Sequence, residues 1–303
     1  MPAYLSHAIM AEEVYNKSIN DKNLFKIPIK ISSLKANSLG PDLAILAEKI
    51  KKYDTHNENS QLFFLNMIKH IKENRLIEDL EVMSMLYGHI SHYFLDLYIH
   101  PLIYYQEKTC QTKGIIHPHF LLEGYISSYL TSKILKKDYM EIKSDYLGTI
   151  NFKNKNLTTT IKETYLKTYQ DSNAIISYKI VLKALKSLDY LIKNNQIITK
   201  DILIKLTKFN NFLKNNNLSA TKITNENHNQ WINLWNNTIH NESIMDLYHK
   251  AISDTLEAIE GVNKYLYNDN RISNLNIIFK DLSYDTAIPC QYVKRRTYKK
   301  VNK

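Results

Sequence analysis

Residues 76–105, LIEDLEVMSMLYGHISHYFLDLYIHPLIYY, are apolar on nearly every side when they are wound as an α-helix. This pattern is typical of a central helix that is buried all round. Pro101 lacks the backbone N–H that an interior helical position needs, so we expect the helix to kink or end near His100. The segment predicts a fold built around one long buried helix.

The composition agrees with an all-α fold. The 303 residues include only 6 Gly and 6 Pro, too few for the many turns of a β-sandwich or barrel. The hydrophobic fraction of 44% excludes a disordered chain. Apolar periodicity predicts further helices over residues 5–19, 61–73, 118–136, 157–170, 174–194, 198–214, 228–238 and 241–267, and one that opens at Gly40-Pro41-Asp42. We predict a compact multi-helix domain over residues 1–270 and a C-terminal extension with a basic tail over residues 271–303.

The number of cysteines and the net charge indicate in which compartment the protein acts and what it could bind. Cys110 and Cys290 are the two cysteines, and so low a number favours a reduced, cytoplasmic setting. We expect no signal peptide and no transmembrane helix, because no run of about 18 apolar residues occurs. The net charge of +10 would suit peripheral contact with an anionic membrane or with nucleic acid, or it reflects only a Lys- and Asn-rich composition.

Three ligand-type side chains follow one another at steps of four residues in the central helix: His92, Asp96 and His100. Each step of four advances the position by only about 40° around a helix, so the three side chains share one face. Zinc accepts both imidazole nitrogen and carboxylate oxygen, and a buried carboxylate needs a charged partner or a metal. The row is therefore a set of zinc ligands or a hydrogen-bonded polar cluster in the core.

His119 and Glu123 repeat the spacing of four at the start of the next predicted helix. By itself, a His–Glu pair at this spacing is often only an exposed pair on the surface of a helix, with no metal bound. A short connection would let the two helices pack side by side, and their ligand faces would then meet, as in metal sites of helical bundles. His7, Asp42 and His56 are weaker candidates, and for Asp42 ordinary helix capping is an alternative role.

Taken together, these motifs resemble the bacterial zinc-dependent phospholipase C family, which is related to the single-strand-specific zinc nucleases. The resemblance rests on the order and spacing of the His, Asp and Glu residues and spans roughly residues 1–267. Its segments are the MPA opening with His7 and EEV at 12–14, Gly-Pro-Asp at 40–42, His56 before Phe63-Phe64, LYGHISHYFLDLYIHP, HPHFLLEGYISSYL, and the C-terminal region of Trp235 and residues 241–248.

The resemblance implies a compact all-α domain with two to three Zn²⁺ ions. Carried over by position, Asp42, His56, His92 and Asp96 would hold one zinc. A second zinc would be held by His100, His119 and Glu123. His7, with Asp96 bridging, would help to hold a third. We interpret His89 and His117 as core residues or as hydrogen-bond partners of the ligands.

The resemblance also implies the chemistry of a zinc-dependent phosphodiesterase. A zinc-bound hydroxide would hydrolyse a phospholipid to diacylglycerol and a phosphorylated head group, and Asp42 would orient the water or act as general base. Four aromatic residues would line a choline-like or acyl pocket, or they are core residues: Tyr93, Phe94, Tyr98 and Phe120. The alternatives are a single-strand nuclease or nucleotidase on the same zinc scaffold, and a catalytically silent, metal-stabilised binding protein.

Overall fold

The computed structural model describes residues 3–22, 24–109, 118–142, 144–193, 220–268 and 273–293. The α-helices in these ranges are α1 (Ala3–Lys17), α2 (Ile31–Asn37), α3 (Ile45–Lys51), α4 (Ser60–Glu73), α5 (Leu80–Thr109), α6 (Pro118–Leu130), α7 (Lys155–Tyr169), α8 (Ala174–Lys193), α9 (Ala220–Ile223), α10 (Ile244–Asn268) and α11 (Ser273–Ile278). Short 3-10 or π turns occur at Ser18–Lys22, Gly40–Ala44, Thr131–Leu135, Tyr139–Glu141, Ser144–Leu147 and Cys290–Tyr292. The two strands β1 (Trp231–Ile232) and β2 (Ile239–His240) form an antiparallel hairpin. The predicted all-α class is confirmed.

Helix α5 is the central element of the fold. It packs most extensively against α10 and α2, and it also contacts α1, α6 and α7. Most of its side chains are buried, from Glu81 to Gln106, as the apolar pattern predicts. In the described part of the chain, no helix is long and apolar enough to cross a membrane.

Pro101 was expected to kink or end the central helix near His100. The helix does not end there, because α5 continues to Thr109. An interior proline costs about 3 kcal/mol. The next turn offsets that cost, since Leu102 and Ile103 are almost completely buried and each contributes about 1.5–3 kcal/mol. The extension matters for the site because it adds Glu107 to the helix.

The predicted helix over residues 228–238 is wrong, because this segment forms the β1–β2 hairpin. Asn237 adopts a left-handed conformation with φ 59°, which asparagine tolerates in a tight turn. Trp231 is buried at the start of the hairpin. The other helical predictions agree with the described elements, while the segment 198–214, Cys110, His117 and the basic tail beyond residue 293 lie outside the described residues.

Gly40 brings the turn after α2 directly against the central helix. Its φ is +48°, and a Cβ at this position would lie 2.7 Å from Cγ of His92. Only glycine meets both conditions without strain. The close approach places the turn that carries Asp42 over the ligand face of α5.

The C-terminal strap, residues 279–293, runs from α11 back across α4 and α5. Phe279 stacks on Phe64 with ring centroids 4.3 Å apart, and the Tyr93 hydroxyl donates to the Lys280 carbonyl at 3.0 Å. The backbone N–H of Tyr284 donates to the carbonyl of His56 at 2.8 Å. The strap is thus fixed to the part of the fold that holds the histidines.

Candidate metal centre

Asp96 on α5 lies at the middle of a group of histidines. Its Oδ1 is 3.2 Å from His7 Nε2 and 3.8 Å from His100 Nε2. Its Oδ2 is 2.9 Å from His92 Nε2 and 3.6 Å from His56 Nε2. The Asp96 side chain is only 7% exposed. Four imidazoles from three parts of the chain therefore surround one buried carboxylate.

The first ligand set, a group of candidate ligands, is Asp42, His56, His92 and Asp96. Asp42 Oδ1 is 3.1 Å from His56 Nε2, and the ligand atoms of His56, His92 and Asp96 lie within 4.8 Å of one another. His7, Asp42 and His92 form an overlapping group by the same measure. Tetrahedral zinc ligands at about 2.0–2.1 Å from the metal lie about 3.3 Å apart, which matches these separations.

The second ligand set is His100, His119 and Glu123. Glu123 Oε1 is 3.2 Å from the Nε2 atoms of both His100 and His119. The set combines the last ligand of the α5 row with two residues from the first turns of α6. The i, i+4 spacing within each helix places the side chains on the facing surfaces.

Hydrogen bonds on the far side of the rings fix the orientation of three imidazoles. His92 Nδ1 is 3.0 Å from the Ser38 carbonyl, and His100 Nδ1 is 3.3 Å from the Tyr284 carbonyl. A carbonyl only accepts, so both Nδ1 atoms carry a proton, and Nε2 is the nitrogen of each ring that can bind a metal once its own proton is displaced. His56 Nδ1 is 3.4 Å from the Thr55 hydroxyl. Because that hydroxyl donates its proton to Glu48, it can only accept from His56, so Nδ1 of His56 also carries a proton.

Three buried imidazole nitrogens without hydrogen bonds indicate that the group fits a cation. His92 Nε2, His7 Nδ1 and His119 Nδ1 have no hydrogen-bond partner among the described residues. His92 Nε2 is 2.9 Å from Asp96 Oδ2, but the contact lacks hydrogen-bond geometry. Buried polar atoms are rarely left unpaired in this way. Imidazole and carboxylate donors in such a group suit zinc, which accepts both.

The charges of the site shift the pKa values of its members. Burial opposes the charged forms, but His100 and the other imidazoles outweigh it and hold the pKa of Asp96 well below its usual range. In the same way, Asp96 and Glu123 overcome burial and raise the pKa of His100 to about 10. The pKa of His56 is raised well above its usual value because Asp42 and Asp96 outweigh burial. Asp96 is thus ionised at neutral pH, as metal binding requires.

Two further carboxylates lie behind the imidazoles of the second ligand set. Glu107 Oε2 is 3.4 Å from His119 Nδ1, and Asp285 Oδ1 is 3.5 Å from His100 Nδ1. Sequence reasoning missed both. Glu107 follows His100 by seven residues, two helical turns on the same face, and this spacing was a usable signal. Asp285 has no such signal, because it lies in the C-terminal strap.

The buried histidine and the four aromatic residues singled out from the sequence lie outside both ligand sets. His89 is buried, with Nδ1 3.0 Å from the Met85 carbonyl and Nε2 2.9 Å from the Tyr178 hydroxyl, so its ring is satisfied within the core. Tyr93, Phe94 and Tyr98 line a separate cavity of about 280 Å³ whose lining contains none of the proposed ligands. Phe120 is 53% exposed beside His119.

A second cavity, of about 480 Å³, opens beside the first ligand set. Its lining includes Asp42 and His56, and Asp285 reaches it from the strap. The lining also contains the carboxylates of Glu48, Asp54 and Glu58 and the ammonium groups of Lys49 and Lys52. This cavity gives solvent and small molecules access to the ligands.

The structure combines an all-α fold with clustered imidazole and carboxylate groups that could hold metal ions. A family model described as zinc dependent phospholipase C matches residues 6–177, which is more than half of the chain and a range that includes all eight candidate ligands. The chain belongs to this family, which implies a zinc-dependent hydrolase of the phospholipase C type. The match does not extend to the C-terminal region around Trp235 or to the strap. No curated protein and no solved structure matches the chain.

Proposed function

We propose that the protein is a zinc-dependent phosphodiesterase that hydrolyses a phospholipid to diacylglycerol and a phosphorylated head group. The observation that carries the proposal is the convergence of both ligand sets on Asp96, beside an open cavity lined by Asp42 and His56. We further propose two to three zinc ions, with the first and second ligand sets each holding one. His7 would help to hold the third.

Zinc, when bound, lowers the pKa of coordinated water and polarises the phosphoryl oxygens. The chain's own residues would do the rest. Asp42 is the ligand candidate with the largest exposed fraction of its side chain, 24%, and it faces the cavity. We assign it the role of orienting the attacking water and accepting its proton. A new bond forms between the water oxygen and phosphorus, the bond to the glycerol oxygen breaks, and that oxygen takes a proton from solvent in the cavity.

The cavity lining favours a lipid head group over a nucleic acid strand. Five carboxylates and two lysines line it. Single-stranded nucleic acids bind in positively charged grooves, because every nucleotide adds a phosphate. A zwitterionic head group brings one phosphate for the metal centre and one cation for the surrounding carboxylates. The proposed substrate class is therefore a phospholipid with a cationic head group.

The test measures diacylglycerol and phosphocholine release from phosphatidylcholine vesicles by the zinc-loaded protein. The Asp42→Asn variant should lose about 10²–10⁴-fold of the rate, the usual contribution of a general base. Asp145→Asn changes an exposed aspartate in the Ser144–Leu147 turn, outside both ligand sets; it is the matched control and should retain full activity. Zinc content is measured for each variant, so that loss of metal is separated from loss of the base.

Two other outcomes would contradict the lipid proposal. Release of mononucleotides from single-stranded DNA, without diacylglycerol from vesicles, would assign the centre to a nuclease or nucleotidase. Full zinc occupancy with no turnover of either substrate would assign it to a metal-stabilised binding protein.

A further inference from the structure

The C-terminal strap reaches the second ligand set although it lies more than 100 positions beyond the family-matched residues 6–177. Two consecutive strap residues, Tyr284 and Asp285, approach the same atom, His100 Nδ1. The Tyr284 carbonyl accepts its hydrogen bond at 3.3 Å, and Asp285 Oδ1 lies 3.5 Å away as an ion-pair partner. Each contact bridges more than 180 positions of sequence, so only the tertiary fold creates them.

The opposite nitrogen of the same ring faces the ligands. His100 Nε2 is 3.2 Å from Glu123 Oε1 and 3.8 Å from Asp96 Oδ1. His100 thus has two acceptors from the strap on its Nδ1 side and two carboxylates on its Nε2 side. A histidine that binds a metal through one nitrogen commonly donates the other N–H to a carboxylate or carbonyl, which fixes the tautomer and raises ligand basicity.

Asp285 is itself held in place. The Asn57 side-chain amide donates to Asp285 Oδ2 at 2.9 Å, and the Ser283 hydroxyl donates to Asn57 Oδ1 at 2.6 Å. Asn57 directly follows His56 of the first ligand set, and the Tyr284 N–H bonds the His56 carbonyl. A carboxylate with one oxygen fixed in this manner presents its other oxygen to His100 in a defined direction.

We propose that Asp285 is a positioning residue of the metal centre, which holds His100 in the tautomer and orientation that present Nε2 to zinc. The C-terminal strap then completes a site whose ligands all lie in the first half of the chain. The inference rests on the zinc-binding part of the proposed function and requires no substrate, so it is tested by metal affinity.

The experiment measures zinc dissociation constants of the full chain by competition with a chromophoric chelator. Asp285→Asn should weaken one zinc by about 10–100-fold, the usual effect of losing an outer carboxylate, and leave the other zinc unchanged. Asp285→Glu retains the charge and should recover part of the lost affinity. Asp145→Asn is the control for loss of an aspartate charge elsewhere.

A second control separates positioning from general support of the fold. Tyr93→Phe removes the hydroxyl that anchors the strap at Lys280 but leaves Asp285 intact. This variant should bind both zinc ions with nearly wild-type affinity. Equal losses in Tyr93→Phe and Asp285→Asn, or losses spread over all the zinc ions, would show that the strap only supports the fold and would overturn the assignment.

The remaining outcomes are equally decisive. Asp285→Asn with unchanged zinc affinity would overturn the inference and leave the proposed function intact. No recovery by Asp285→Glu in a folded protein would also count against a role for the charge. A wild-type chain that binds no zinc would overturn both the inference and the proposed function.

Discussion

The two ligand sets differ in how their imidazoles are oriented. In the first set, His92 faces the Ser38 carbonyl and His56 faces the Thr55 hydroxyl, both neutral partners. In the second set, His100 faces the carboxylate of Asp285 as well as the Tyr284 carbonyl, and His119 faces the carboxylate of Glu107. The first set offers four ligands and the second set three.

This difference indicates a division of labour. A carboxylate behind an imidazole makes the ring a stronger ligand, so the second set can compensate for having one ligand fewer. Three protein ligands would also leave one position of a tetrahedral zinc open for a substrate oxygen, while Asp42 of the first set acts on the attacking water. If the two sets are separate sites with differently supported ligands, substitutions in one set should leave the zinc of the other set in place.

The largest effect is expected for Asp96→Asn, because Asp96 contacts histidines of both sets and His7. Elemental analysis of the purified wild-type protein should give two to three zinc ions per chain. The zinc content of the variant should be one ion per chain or none. Asp145→Asn, prepared in parallel, should keep its zinc. Full zinc content in Asp96→Asn would show that the carboxylate is only a core hydrogen-bond group and would remove the shared link between the sets.

Gly40→Ala should damage the first set selectively. A left-handed backbone costs a residue with a Cβ about 1–2 kcal/mol, and this Cβ would also press on the His92 ring. We expect loss of the zinc held by the first set, with the second zinc retained.

Gly261→Ala is the control for destabilisation alone. Its Cβ would meet Ile278 at 2.2 Å, away from every ligand candidate. It should lower the melting temperature and leave zinc stoichiometry unchanged. Loss of both zinc ions from Gly40→Ala would contradict the separation of the sets.

The two sets should differ in pH dependence. Zinc displaces protons from imidazoles whose pKa is raised, so affinity rises with pH until that pKa is reached. His100 has a pKa of about 10 and that of His119 is also raised, whereas in the first set the pKa of His56 is raised and that of His92 is lowered by burial.

Between pH 6.5 and 8.5, we therefore expect the first zinc to gain about tenfold in affinity per pH unit and the second zinc more than that. Chelator competition at three pH values measures both slopes. Equal slopes, or a steeper slope for the first set, would contradict the assignment of partners to the two sets.

The smallest effect concerns the outer partners. Glu107→Gln should weaken zinc at the second set by about 10-fold, the lower end of the range for an outer carboxylate, because its 3.4 Å contact with His119 is long. Thr55→Val removes only a neutral partner of His56 and should weaken the first zinc less. Equal losses in the two variants would show that the charge of the outer partner does not matter here.

The all-α class of the fold followed from the sequence alone, and so did the row of candidate ligands on the central helix. Helical periodicity is a local property, so the long apolar segment and the sparse Gly and Pro were enough to predict an all-α protein. The row of His92, Asp96 and His100 was visible for the same reason, since residues four apart on a helix share a face whatever surrounds them.

Features that depend on distant partners could be seen only in the folded chain. Burial of Leu102 and Ile103 offsets the cost of Pro101 within α5, and the segment of the buried Trp231 forms a hairpin where a helix was predicted. Only the folded chain brings Asp42 and His56 onto the α5 row and places Asp285 behind His100. Contacts across 40 to 190 residues leave no periodic trace in the sequence, because they are set by how the helices pack and not by the conformation of any one segment.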